Sequence, residues 1–269
     1  MVHALRQSIA VYKIYLKECF AYPVTWVIWV VTDAVTMFAM PMVMASAAIG
    51  SGSGSIRGFE PSQFFLYYMA MFLVASFTTS HFMWEIATEV KEGQFSAQIM
   101  RPISYFRYTC VRNLTWRVTR LGFVLPVALL YMWAFRDRFD FSQVQAHGTF
   151  WVSLFLGHGL SICLVMAFGM VALVMQDATG LFELYYFPML FLSGYMFPVA
   201  MFPDWVQQAN YFLPFFYISG VPTEILIGRI EGAMAWELIR NQAIWVVIFY
   251  VAFRLAWKKG IKHYTGVGM

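Results

Sequence analysis

The chain has 269 residues, of which 61% are hydrophobic, 19% aromatic and only 12% charged, with a mean hydropathy of +0.64. An average soluble domain carries about 25% charged residues, and a soluble fold of this length has no room to hide so much apolar surface; the bilayer is the matching solvent. The net charge of +4 is small, and the basic residues flank apolar runs instead of forming one face, which excludes nucleic acid as a partner.

The first 22 residues precede any apolar run. Val2, Leu5, Ile9, Tyr12, Leu16 and Phe20 recur at helical spacing, and Arg6, Lys13 and Lys17 fall on another side. That pattern predicts an amphipathic helix over 1–22, suited to the headgroup layer and its membrane lipids. The segment is not a cleavable signal peptide, since the first apolar run begins only near Val24.

A spanning helix needs about 20 mostly apolar residues. Six regions qualify: Val24–Ala48, Gln63–Trp84, Leu121–Phe135 (reaching back toward Trp116), Phe150–Met175, Leu181 to about Phe197, and Trp236–Trp257. The expected fold is an all-α polytopic membrane protein of six transmembrane helices, a single domain over 1–269. With the N-terminus inside, thirteen of the 18 Lys and Arg residues fall in inner segments and five in outer ones. That bias places both termini in the cytoplasm.

Between the first two spans, the loop "GSGSGSIRGFEP" (50–61) is short and Gly-rich. It lacks the Lys-Ser/Thr that would complete a phosphate loop, and no Gly-Lys pair occurs anywhere in the chain. The chain therefore carries no P-loop ATPase of its own.

After the second span, residues 85–120 make a long connection with helix-tolerant composition. "WEIATEVKEG" reads as a helix stopping at Gly93, "QFSAQIM" as a short amphipathic stretch, and Pro102 as a break after Arg101. "ISYFRYTCVRNLTWRV" then resumes a helical rhythm feeding the third span. The outcome is two helices at the membrane surface with a sharp elbow between them. Such an elbow either receives a push from another protein or anchors the loop to lipid phosphates.

The stretch "LSGYMFPVAMFPDWVQQANYFLPFFYISGVPTEILIG" (192–228) is too apolar for an outer loop, and Pro198, Pro203, Pro214 and Pro222 forbid one straight helix. Irregular backbone cannot face hydrocarbon. The consistent solution is a fifth helix stopping near Pro198, followed by short helices that dip back into the outer leaflet. Trp205, Tyr211 and Tyr217 suit an interface, and Asp204 suits a helix start.

At the elbow ("KEGQFSAQIMRPIS") and at the proline string, the sequence resembles the type-2 ABC exporter permeases. Gln94-Phe95 stands where the most similar branch carries an acidic residue followed by Leu. The resemblance implies that the elbow docks in a cleft of a separate ATP-binding subunit. The docking set is Glu89, Lys91, Glu92, Gly93, Arg101, Pro102 and Ser104. It implies that 1–22 is an interfacial connecting helix and that 198–228 are re-entrant helices capping the outer end. It implies a bacterial inner (plasma) membrane protein built from two permeases, identical or paralogous, and two ATP-binding subunits. ATP and Mg would then act in the partner, with no cofactor and no catalytic residue in this chain.

Pathway or gate candidates are Asp33, Glu183, Pro198, Phe202, Pro203 and Pro214. Asp33 and Glu183 fall in spans, where an ionised group costs about 2.5–3.5 kcal/mol on insertion scales, so each should face protein or water. His81 and Glu85, one turn apart, lack a third metal ligand. Cys19, Cys110 and Cys163 share no metal or disulfide spacing. Ser161 and His158 share a helix face but lack an oxyanion motif. The competing function is a non-catalytic scaffold or channel with no ATPase partner.

Overall fold

Helix starts and stops written in the sequence are obeyed where local chemistry decides them. The computed structural model describes residues 2–21, 23–52, 54–175 and 178–264. Residues 1, 22, 53, 176–177 and 265–269, parts of the expected interfacial helix, loop and single domain, lie outside the described residues. In chain order the helices are α1 (Val2–Ala21), α2 (Pro23–Gly50), α3 (Pro61–Thr78), α4 (Met83–Lys91), α5 (Gln94–Ile99) and α6 (Tyr105–Ala134). They continue as α7 (Gly148–Gly169), α8 (Thr179–Leu192), α9 (Asp204–Tyr211), α10 (Phe216–Leu226) and α11 (Gly232–His263). Among the described residues the only strand-like pairing is an isolated bridge between Ile56 and Phe59.

Pro61 opens α3, where it gives up no useful amide, and the Gln63 side chain accepts from the Glu60 N–H at 3.0 Å. Among the described residues five helical segments are long and apolar enough to cross a membrane: Trp26–Gly50, Pro61–Lys91, Tyr105–Ala134, Gly148–Leu173 and Gly232–His263. The chain is an all-α integral membrane protein.

Two expected boundaries move. The expected span Gln63–Trp84 breaks at residues 79–82, because the Ser80 N–H leaves the helical ladder and donates to Ser161 Oγ of α7 at 2.8 Å. The fifth apolar helix ends at Leu192, not near Pro198. Gly194 there adopts φ +87°, and Tyr67 and Tyr68 of α3 donate to the carbonyls of Gly194 and Met196 at 2.8 and 2.9 Å. Those bonds satisfy carbonyls that a continuing helix would have used.

Three apolar clusters hold the bundle. The largest joins α4, α7, α8, α10 and α11; a second packs Phe59 and α3 against Ile227; a third binds α2, α3 and α6 through Met37, Phe72 and Tyr131. The approach of α7 to α10 requires Gly157: a Cβ there would lie 2.4 Å from the Ile218 carbonyl oxygen. Gln242 of α11 fixes the same junction, donating to the carbonyls of Tyr217 at 2.7 Å and Ser153 at 2.9 Å.

Candidate functional site

The elbow is built from α4, α5 and the start of α6. α4 closes with the Glu92 N–H on the Thr88 carbonyl at 2.9 Å, and Gly93 (φ +75°) reverses the chain in a conformation that favours glycine. After α5, the segment 101–103 turns the chain again, and Ser104 caps α6 by accepting from the Arg107 N–H.

Phe95 anchors α5. It is fully buried, with ring centroids 5.1 Å from Tyr105, 5.1 Å from Tyr264 and 6.0 Å from Trp257. Ser96 and Tyr264 hydroxyls lie 3.0 Å apart, so the last described turn of the chain is tied to the elbow. The first helix is tied to it as well. Gln7 donates to the Pro102 carbonyl at 2.7 Å and accepts from Arg107 Nη2 at 2.7 Å, and the Tyr15 and Tyr108 hydroxyls are hydrogen-bonded.

Of the seven expected docking residues, Lys91, Glu92, Arg101, Pro102 and Ser104 are exposed, and Gly93 is half-buried at the reversal. Glu89 differs. It is turned inward, accepting from Tyr105 OH at 3.2 Å and from Arg112 Nη1 at 2.6 Å, because Arg112 and Tyr105 one helix away offer it donors that the surface would not. Arg112 also pairs with Glu85. The tip between the two helices is apolar as well as charged: Met100 is 78% exposed and Ile99 38%.

Asp33 lies inside the bundle with a partner. It is ion-paired with Arg120 of α6, and Tyr195 OH donates to its second oxygen at 3.2 Å. Arg117, one turn earlier on α6, is 1% exposed; its Nη1 reaches the Ser76 carbonyl at 3.3 Å, and its Nε has no hydrogen-bond partner among the described residues. Both guanidiniums lie over the Trp116 ring, at 4.9 and 5.1 Å from its centroid. Neither arginine stood out in the sequence, since pairing across helices has no local signature.

Glu183 is exposed on α8. His81 packs edge-on to Tyr186 while Glu85 pairs with Arg112, and among the described residues no three His, Cys, Asp or Glu side chains are grouped to hold a metal. Ser161 Oγ is occupied by the Ser80 amide, and the His158 ring lies on Phe77.

At the opposite end of the bundle, α9 and α10 follow a single turn at Val199–Met201. Asp204 opens α9 and is ion-paired with Arg57 at 2.9 Å. Pro198 and Pro214 are buried, Phe202 is half-buried and Pro203 is exposed. α10 is buried along Phe216–Ile225, whereas Trp205 and Phe212 are 71% and 80% exposed. Arg229 binds Glu224 at 3.1 Å and the Gly58 carbonyl at 3.2 Å, with its guanidinium 3.7 Å from the Phe59 ring centroid. This clasp joins the segment after α10 to the loop before α3. A comparison with curated proteins finds no match to the chain. The pattern that defines the family described as "ABC-2 family transporter protein" matches residues 34–268, nearly the whole chain, and the chain belongs to that family of ABC-transporter membrane permeases.

Proposed function

We propose that the chain is the membrane permease of an ABC exporter in a bacterial plasma membrane, paired with a second permease and driven by two copies of a separate ATP-binding subunit. The observation that carries this reading is the elbow. Its tip (Ile99, Met100, Arg101) is exposed, while its base is fastened to α1, α6 and α11 through Gln7, Glu89 and Phe95. A rigid lever with an adhesive tip transmits a push; a loose loop absorbs it. The elbow acts only by contacts that differ between the partner's open and closed states.

The layout we propose has six crossings, the five long apolar helical segments and the shorter α8. α8 has 14 residues, about 21 Å at 1.5 Å each, against a hydrocarbon core of about 30 Å. It begins beside Trp84 near the elbow and ends beside Tyr67 near the opposite face, so it runs the same way as α6 and α2. The segment 198–228 then forms re-entrant helices that fill the outer leaflet around α10 and close the outer end of the pathway. An even count returns α11 to the elbow side, where Tyr264 meets Ser96. The excess of Lys and Arg assigns that side to the cytoplasm. In this layout 1–269 is one domain, and export is the direction the resemblance implies.

Ionic exchange at the tip tests the docking. The double variant Glu92→Arg/Arg101→Glu inserts normally, loses association with the ATP-binding subunit and loses transport. Unchanged association and transport would count against docking at this tip, whereas a chain that purifies with no ATP-binding subunit and moves cargo with no nucleotide-hydrolysing partner would favour the scaffold or channel reading.

A further inference from the structure

Between α1, α4 and α6 lies an open cavity of about 660 Å³ that the transport reading leaves unassigned. Large rings line it, Tyr15 and Trp26 from the α1–α2 corner, Trp84 from α4 and Trp116 from α6, interleaved with polar and charged side chains. Arg117 also lines it, about 18 Å along α6 from Tyr105 at 1.5 Å per residue.

The lining carries three carboxylates (Glu18, Glu85 and Glu89) against two guanidiniums (Arg112 and Arg117). Arg112 is shared between Glu85 and Glu89, and Glu18 is exposed at the rim. Cys19 stays a neutral thiol, because burial pushes its ionisation upward. Beyond the lining, Asp33 is ion-paired with Arg120 and lies close enough for its charge to act on Arg117 as well, so two guanidiniums share one carboxylate. Arg117 is then the cation with no carboxylate of its own among the described residues. It is 1% exposed, holds one carbonyl, and has an Nε with no hydrogen-bond partner among the described residues. A buried guanidinium without a carboxylate of its own is costly, and an anion with oxygen acceptors is the group that relieves it.

We propose that this cavity binds an amphiphile bearing a single anionic phosphate or carboxylate, with the anion on Arg117 and the adjoining apolar part against Trp26, Trp84 and Trp116. Trp and Tyr supply the apolar and interfacial contacts, and Arg adds the planar fork suited to such an anion. The rim carboxylates of Glu18 and Glu85 oppose a free, multiply charged anion, so the apolar part is needed for binding. In the proposed orientation the α1–α2 corner lies at the inner headgroup layer, where a lipid-like molecule enters the cavity from the inner leaflet. This deepens the transport reading by naming a class of cargo or bound lipid, and it rests on the orientation proposed above.

The test is made on the full-length chain purified in a non-ionic detergent, with no ATP-binding subunit present. Its failure therefore leaves the transport reading standing, and failure of subunit association leaves the binding result standing. Tryptophan fluorescence is followed during titration with dioctanoylglycerol phosphate, with neutral dioctanoylglycerol, and with inorganic phosphate. The expected result is saturable one-to-one binding of the anionic lipid alone. Arg117→Gln weakens it by roughly 10- to 100-fold, the factor for losing one charged hydrogen-bond partner, and Arg117→Lys restores most of it. Thr88→Trp, at the rim and with Arg117 intact, blocks it and covers the case in which Arg117→Gln does not fold. Equal binding of the neutral lipid, equal binding of inorganic phosphate, or undiminished binding to both Arg117→Gln and Thr88→Trp overturns the proposal.

Discussion

Phe95→Ala separates a lever from a loop. Phe95 is fully buried among Tyr105, Trp257 and Tyr264, and it is the one α5 side chain that reaches this core. Truncating such a Phe costs about 3–5 kcal/mol. The loss falls on the docking of α5, since the Glu89–Arg112 pair before it and the Gln7–Pro102 bond after it are untouched. An equilibrium between docked and released α5 then shifts by roughly two to four orders of magnitude toward release. Hydrogen exchange of the amides in 94–100, measured on the purified full-length protein, reads that shift directly as lost protection. With the ATP-binding subunit present, nucleotide hydrolysis persists while transport falls. Phe95→Leu keeps most of the burial and behaves close to the native protein. If Phe95→Ala leaves both exchange and transport unchanged, the base of the elbow is not what transmits force.

Other expected outcomes test other parts of the bundle. Asp33→Asn strands Arg120 and lowers stability by about 3–5 kcal/mol, whereas Asp33→Asn with Arg120→Gln recovers much of it. Thermal unfolding in detergent measures both, and equal losses in the single and double variants would refute the pairing. Gly157→Val drives side-chain atoms against the Ile218 carbonyl and costs about 1–3 kcal/mol or more, parting α10 from α7. In intact cells the native segment 198–228 resists added protease because α10 is buried, and Gly157→Val makes it cleavable. Rapid cutting throughout the native segment would mark an ordinary outer loop.

Much of this architecture is legible in the sequence because its signals are local. Apolar runs give the long helices, the 3.6-residue rhythm gives α1, Gly93 gives the reversal, and Pro203-Asp204 gives the start of α9. What the sequence hides is decided across helices. The break after Thr78 depends on a hydroxyl from α7, eighty-one residues away at Ser161. The early end of α8 depends on two tyrosines of α3. Glu89 reads as an exposed acid of a surface helix until Arg112 and Tyr105 fold over it. Phe95, the residue that departs from the pattern of similar elbows, finds its explanation in the aromatic ends of α6 and α11, which no local window contains.

The central claim is that a separate ATP-driven subunit grips the tip of the elbow. A photo-crosslinking amino acid at position 100, where Met100 is 78% exposed, puts the reporter on that tip in the assembled transporter. The account predicts a crosslink to the ATP-binding subunit whose yield changes when nucleotide is added. Labelling of position 100 by a membrane-impermeant reagent from outside intact cells, or undiminished transport with no such crosslink, would contradict it.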